Sequence, residues 1–268
     1  MKSAVTVSLV PEAQGGPFIF WEGIEKACNL AQKIGFDGIE IFPPSADGVS
    51  ILNLRRSLNN YSLSVAAFGT GAGAVVSGLS LSDKDKTERK KAIQFVRNIM
   101  ELGTEFNAPT IIGSMQGKIF QRESREETIL RLVDSLSELS NQGGQLLIEP
   151  LNRYETNICN TLEQGLNIIQ KANCTNIKIL ADLFHMNIEE ENIAEALENT
   201  GDKVGHIHFV DSNRRPAGLG HLNYLPIASA LKNLKYSAWA SVEAFPYPDS
   251  ESAARQTIKT YKEFMEGV

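Results

Sequence analysis

The sequence predicts a (β/α)8 barrel of the TIM type, and three observations predict it. Short β-type runs alternate with longer helical patterns along the chain, there are eight of each, and 268 residues divided among eight gives about 33, the size of one strand–helix step. Strict alternation implies parallel strands joined by right-handed crossovers. Eight such steps in about 250 residues is the arithmetic of this barrel. A doubly wound open sheet is the rival. It usually has fewer strands, and often a glycine-rich phosphate loop after the first; here Val10-Pro11-Glu12 follows instead. No linker or low-complexity tract divides the chain, so residues 1–268 read as one domain.

The first strand is expected at Ala4–Val10, and a helix over roughly Phe20–Ile34 follows it, closed by Gly35. Gly38–Phe42 is the second strand, ended by Pro43-Pro44, which can continue neither element. A helix at about Ile51–Asn59 leads to the third strand, Leu63–Phe68, and a glycine-rich run, Gly69–Gly73. That run lacks the G-x-G-x-x-G form of a nucleotide loop and reads as close backbone approach at the barrel rim. Lys84–Phe106 is a long helix with Ile93, Val96, Ile99 and Met100 on one face. Its first residues, KDKTERKK, are the densest charged run and read as a solvated helix start. The fourth strand is Thr110–Ile112. Ser124, with Glu127 three residues on, has the form of a capping box for a helix that runs to Gln142 and stops at Gly143-Gly144.

The second half continues the pattern. Strands are expected at Gln145–Ile148, Ile177–Leu180, Val204–Val210 and Ala238–Val242, and helices at Thr161–Ala172, Ile193–Asn199, Leu225–Leu234 and Ala253–Met265.

Composition narrows the function. The formal net charge is −6, against the basic face expected of a nucleic-acid binder. No apolar run approaches the roughly 20 residues of a membrane span, and the N-terminus lacks a signal-peptide pattern. Cys28, Cys159 and Cys174 are odd in number, far apart and without a C-x-x-C, as expected of thiols in a reducing cytoplasm. The four histidines, His185, His206, His208 and His221, all fall in the last third.

In a barrel of this kind the active site lies at the C-terminal ends of the strands. Strands five to eight each end in an ionisable residue behind apolar β residues: Glu149 after LLI, Asp182 after ILA, His208 in GHIH, and Glu243 after ASV. Their spacings are 33, 26 and 35 residues, each near one strand–helix unit, so the four sit at one level of successive strands. Three carboxylates so placed repel one another unless a cation neutralises them. Three oxygen ligands and one imidazole suit one divalent ion, Mn²⁺ before Mg²⁺ or Co²⁺, better than a structural zinc.

Substrate candidates lie in the loops beside them: His185 in DLFHMN, Arg214 in HFVDSNRR and Glu155 in EPLNRYE. His206 alternates with His208, faces the same way, and could orient the site from the layer below. Arg153 and Arg215 read as solvent or salt-bridge residues, and His221 as a loop residue.

IEPLNRYE, ADLFHMN, HIHFVDSNRRPAGLGH and SVEAF together resemble the sugar isomerase/epimerase group of xylose-isomerase-like TIM barrels, in particular ketose 3-epimerases of the D-tagatose/D-psicose (allulose) type. The resemblance implies that Glu149, Asp182, His208 and Glu243 bind the metal. It makes Glu149 and Glu243 the two catalytic carboxylates, and His185, Arg214 and Glu155 contacts to a small sugar substrate. It also implies a homodimer or homotetramer. The chain departs from that pattern at the ends of strands one and four. Such epimerases carry aromatics there; this chain has Val7-Ser8-Leu9 and Gly113-Ser114-Met115-Gln116. Aldose–ketose isomerases of the hydroxypyruvate isomerase kind, and inosose dehydratases or isomerases, would use the same ligands. An endonuclease IV-like phosphodiesterase would need more histidines and a basic surface.

Overall fold

A computed structural model describes all 268 residues. Eight parallel strands close on themselves in sequence order, with β1 hydrogen-bonded to β8. They are β1 (Lys2–Ser8), β2 (Gly38–Phe42), β3 (Ser64–Gly69), β4 (Thr110–Ile112), β5 (Leu146–Ile148), β6 (Ile177–Asp182), β7 (Val204–His208) and β8 (Trp239–Val242). Around them run α1 (Ile24–Ile34), α2 (Ile51–Tyr61), α3 (Gly71–Val75), α4 (Lys86–Thr104), α5 (Arg125–Ser140), α6 (Leu162–Ala172), α7 (Leu183–Glu189), α8 (Ile193–Thr200), α9 (Tyr224–Asn233) and α10 (Ser250–Phe264). No helix is long and apolar enough to cross a membrane.

The expected strands are all present, with boundaries shifted by a residue or two, and the expected capping residue Ser124 accepts from the Glu127 N–H. Three segments differ from expectation. The first helix starts at Ile24 rather than near Phe20, because the chain from Leu9 folds back and Phe20 bridges Val7 along β1. The glycine run contains a short helix, α3, although its close approach is real: a Cβ at Gly69 would collide with the Phe42 ring, and one at Gly73 would lie 2.7 Å from Met115 Sδ. An additional helix, α7, follows β6 directly, capped by Asp182, whose side chain accepts from the His185 N–H.

Strand alternation divides the barrel into an outer apolar shell and a lumen. Val5, Ile39, Val65, Ile112, Ile148, Ile179, Ile207 and Val242 point outwards into the main core beneath the helices. Their neighbours point inwards. One lumen layer contains Thr6, Glu40, Ala67, Ile111, Leu147, Leu180, His206 and Ser241, all buried. Its β3–β6 side is apolar, where Ala67, Ile111, Leu147 and Leu180 pack together with Phe42; its β7–β2 side is polar. The layer above, at the C-terminal mouth, contains Ser8, Phe42, Gly69, Gly113, Glu149, Asp182, His208 and Glu243. On β7 the register skips Gly205, so that Ile179 pairs with Val204 and Leu180 with His206. A side chain at 205 would press on Lys178 and Leu147, at 2.7 and 2.8 Å, so only glycine suits this bulge, which sets both following histidines into the lumen.

Candidate active site

The strand-end residues converge at the mouth. Asp182 closes β6 and pairs with His208 at the end of β7, while Glu149 and Glu243 directly follow β5 and β8. One donor atom from each of the four lies within 4.8 Å of every other. The His208 Nδ1 atom is 3.1 Å from Asp182 Oδ2, 3.3 Å from Glu149 Oε1 and 3.7 Å from Glu243 Oε2. Its other ring nitrogen, Nε2, faces away, 2.9 Å from Glu40 Oε1. Gly113 makes room for this arrangement: a Cβ there would lie 2.5 Å from Glu149 Oε2.

All four groups are buried, and burial and neighbouring charges shift their pKa values. Burial, with the charges of Glu243 and Asp182 added, pushes the Glu149 carboxyl up to about 8 against the opposing effect of the His208 ring 3.3 Å away. Glu243 is also raised, by burial first, with His208 and Arg214 opposing. Burial raises Asp182 as well, but the charges of His185, His208 and Arg214 outweigh it and bring this carboxyl below the usual range. His208 is raised well above an ordinary histidine: burial disfavours its charge, but the surrounding carboxylates override burial. Glu149 Oε1 has no hydrogen-bond partner although it is buried. Three carboxylates, one of them with an unsatisfied buried oxygen, and one imidazole nitrogen make a donor set that fits a divalent cation.

The loop residues gather at one side. Arg214 Nη1 donates to Glu155 Oε1 at 3.0 Å and Nη2 to Glu243 Oε2 at 2.9 Å, and the guanidinium lies 4.9 Å from the centre of the Phe184 ring on α7. Arg214 adopts φ +58°, a left-handed conformation uncommon for a side chain of this size. The surrounding carboxylates hold its charge firmly despite burial. His185 Nδ1 accepts from the Asn152 backbone N–H at 3.2 Å, which places the ring proton on Nε2, a buried nitrogen without a partner. Burial lowers the His185 pKa, so the ring is neutral.

Above the carboxylates opens a cavity of about 280 Å³ lined by Glu149, Glu155, Arg214 and Glu243 on one side and by Ser8, Val10, Phe18, Phe42 and Ser114 on another. The aromatic wall absent from the ends of strands one and four is supplied from elsewhere. Phe18 stands in the loop after β1 and Phe42 at the end of β2, their rings 4.4 Å apart. Neither was singled out in the sequence, nor was Glu40.

The residues read as structural are in structural places. Arg153 pairs with Glu189 at 2.9 Å on the surface, Arg215 lies over Tyr247 at 4.1 Å, and His221 bonds Ser212 outside the cavity lining. His206 lies beneath His208, 2.6 Å from Glu40 Oε2 and 3.0 Å from Ser241 Oγ. The three cysteines are free, and burial pushes the Cys28 and Cys159 thiols up to about 12.

Comparison with known proteins agrees with this geometry. The family model described as "Xylose isomerase-like TIM barrel" matches residues 28–264. The chain is 30% identical over 234 residues to a protein of Synechocystis sp. named "Probable ketose 3-epimerase", spanning 83% of this chain and 79% of that one. It is 26% identical over 266 residues to the D-psicose 3-epimerase of Agrobacterium fabrum, spanning 95% and 87%. Among solved structures, the D-allulose 3-epimerase of Methylomonas sp. shares the fold with a TM-score of 0.82 at 22% identity, over 98% of this chain and 97% of the other. The chain belongs to the xylose isomerase-like TIM barrel family.

Proposed function

We propose that this protein is a divalent-metal-dependent epimerase that inverts C3 of a ketose, with Glu149 and Glu243 as the acid–base pair. The observation that carries the proposal is the cluster of four donors at the barrel mouth, in which two glutamates enter from β5 and β8. Glu149, Asp182, His208 and Glu243 would hold the ion, Mn²⁺ before Mg²⁺ or Co²⁺. When bound, that ion supplies Lewis-acid polarisation of the ketose carbonyl and neutralises the negative charge that develops beside it.

The remaining work belongs to the side chains. One glutamate removes the proton from C3, and the other returns a proton to the opposite face, so the centre inverts without an external base. Which of the two acts first follows from the starting configuration of the sugar. Arg214, fixed between Glu155 and Glu243, holds substrate oxygens in a set orientation. His185 offers its unpartnered Nε2–H as a neutral donor, and Glu155 accepts from a hydroxyl. The only lysine or arginine lining the cavity is Arg214, already engaged with two carboxylates, which favours an unphosphorylated sugar over a sugar phosphate. The net charge of −6 favours neither nucleic acid nor a phosphodiester substrate. The free cysteines suit a reducing compartment such as the cytoplasm.

The test is solvent-deuterium incorporation across a panel of ketoses and ketose phosphates in D₂O with Mn²⁺, read by NMR. Exchange at C3 with formation of the C3 epimer is expected. Proton movement between C1 and C2 instead would identify an aldose–ketose isomerase of the hydroxypyruvate isomerase kind. Loss of water from a cyclic ketone would identify an inosose dehydratase, and absence of any exchange a sugar-binding protein. Either Glu149→Gln or Glu243→Gln retaining near-normal epimerisation with metal bound would refute the two-carboxylate scheme.

A further inference from the structure

Glu40 is the one carboxylate in the lower lumen layer, fully buried on β2 and far in sequence from Glu149, Asp182, His208 and Glu243. A buried carboxylate is costly unless it is paired, yet no lysine or arginine reaches it. Its partners are two imidazoles contributed by β7, across the barrel. Oε1 is 2.9 Å from His208 Nε2 and Oε2 is 2.6 Å from His206 Nε2. The two rings stand nearly perpendicular, at 86°, with centres 5.6 Å apart, so one carboxylate reaches both by its separate oxygens. Ser241 Oγ on β8, 3.0 Å from His206 Nε2, steadies that ring in turn.

This wiring has a direction. An ionised carboxylate only accepts, so the nitrogen that faces it must carry the proton. His208 faces carboxylates on both sides, Glu40 below Nε2 and the cluster of Glu149, Asp182 and Glu243 above Nδ1; an ion held by that cluster would take the place of the Nδ1 proton, while Glu40 keeps the proton on Nε2. We propose that Glu40 is the positioning residue of the metal centre: its carboxylate, braced by His206 and Ser241, selects the His208 tautomer and ring orientation that turn Nδ1 towards the ion. This inference rests on the metal-site assignment made above. It explains why the polar residues of the lower layer gather on the β7–β2 side beneath His208, while the β3–β6 side is filled with aliphatic side chains. It also explains the glycine bulge at 205, which brings both histidines into the lumen. Glu40, His206 and His208 could instead form a second cation site; the 2.9 Å hydrogen bond between Glu40 Oε1 and His208 Nε2 favours the orienting role.

The experiment is Mn²⁺ titration by calorimetry of the wild-type chain, Glu40→Gln and Glu40→Leu, with the metal-free melting temperature of each recorded alongside. The glutamine carbonyl still accepts from His208 without the charge, whereas leucine removes both charge and acceptor. Loss of such an outer partner typically weakens metal binding about 10- to 100-fold. Glu40→Gln is expected near the lower end of that range and Glu40→Leu near the upper, with the glutamine variant melting close to wild type. If Glu40→Leu gives no cooperative melt, Glu40→Gln alone decides. In Zn²⁺-loaded protein, histidine ¹⁵N spectra should show the metal on Nδ1 of His208 and the proton on Nε2. Wild-type Mn²⁺ affinity in both variants, metal on Nε2, or two ions per chain would each overturn the role assigned to Glu40. A wild-type chain that binds no Mn²⁺ would overturn the metal-site assignment itself, and this role with it.

Discussion

Gly113→Ala is the most economical test of the arrangement at the barrel mouth. The added methyl carbon would lie 2.5 Å from Glu149 Oε2, 3.6 Å from its Cδ and 3.8 Å from Leu151 Cδ2. Carbon needs about 3.5 Å for a comfortable contact, so the carboxylate must retreat by roughly 1 Å. The clashing atom is the end of a side chain, and β4 can keep its pairing with β5, so the fold should lose only about 1 kcal/mol, the low end for a small overpacking. The site should lose much more. A 1 Å misplacement of a reacting group can cost about 100-fold in rate, and the same retreat pulls Glu149 Oε1 from the cluster around His208 Nδ1. The assay is kcat/KM for the ketose that exchanges at C3, together with Mn²⁺ affinity and melting temperature. Gly71→Ala is the comparison: its methyl carbon would meet only Ser114 Oγ, at 3.6 Å. If Gly113→Ala turns over and binds Mn²⁺ like the wild type while Gly71→Ala does too, the required position of Glu149 has been misjudged.

Other outcomes are expected on the same physical grounds. Arg214→Lys should lower kcat/KM about 100-fold with little change in melting, because an ammonium cannot span Glu155 and Glu243 as the two guanidinium nitrogens do; near-normal kinetics would refute the clamp. Chelation with EDTA should abolish activity and lower the melting temperature, and Mn²⁺ should restore both. At a hundredfold excess over Kd the bound ion contributes about 2.7 kcal/mol, so unchanged melting would argue against a tight site. Asp211 anchors the loop that carries Arg214, accepting from the N–H groups of Ser212, Gly218 and Leu222 and from the Tyr224 hydroxyl. Burial raises this carboxyl, but those hydrogen bonds outweigh burial and hold it below the usual aspartate range. Its contribution is therefore complete above the unfolded-state pKa and is lost as pH falls through the lower folded-state value. Asp211→Asn should cost about 1–3 kcal/mol near neutrality, by placing an amide against donors, and should flatten the acid limb of the stability–pH curve; an unchanged limb would refute the assignment.

The barrel was legible because each strand announces itself by short apolar runs and each ends in a residue that stops the pattern. The four residues at the mouth were legible for the same reason: Glu149, Asp182, His208 and Glu243 interrupt apolar strands at intervals near one repeat unit. Glu40 interrupts a strand just as plainly, in GIEIF, but it lies one layer lower on the far side of the barrel, and linear spacing carries no information about partners across a lumen. Phe18 escaped notice because its position depends on the long loop folding back along β1, an outcome of tertiary bridging between Phe20 and Val7. Helix α7 has no separate signal because it follows β6 without a break, and its cap, Asp182, is the same residue that ends that strand.

That double duty narrows how this site can change over evolutionary time. Oδ1 of Asp182 caps the helix bearing Phe184 and His185, while Oδ2 turns to His208. An asparagine could keep the cap but not the charge, and a glutamate could keep the charge but not the reach of the cap. Drift towards another chemistry at this position would disturb the helix beneath Arg214 in the same step, so new specificities are more readily reached through the Phe18–Phe42 wall, where a substitution alters the shape of the cavity without loosening any part of the carboxylate–imidazole cluster.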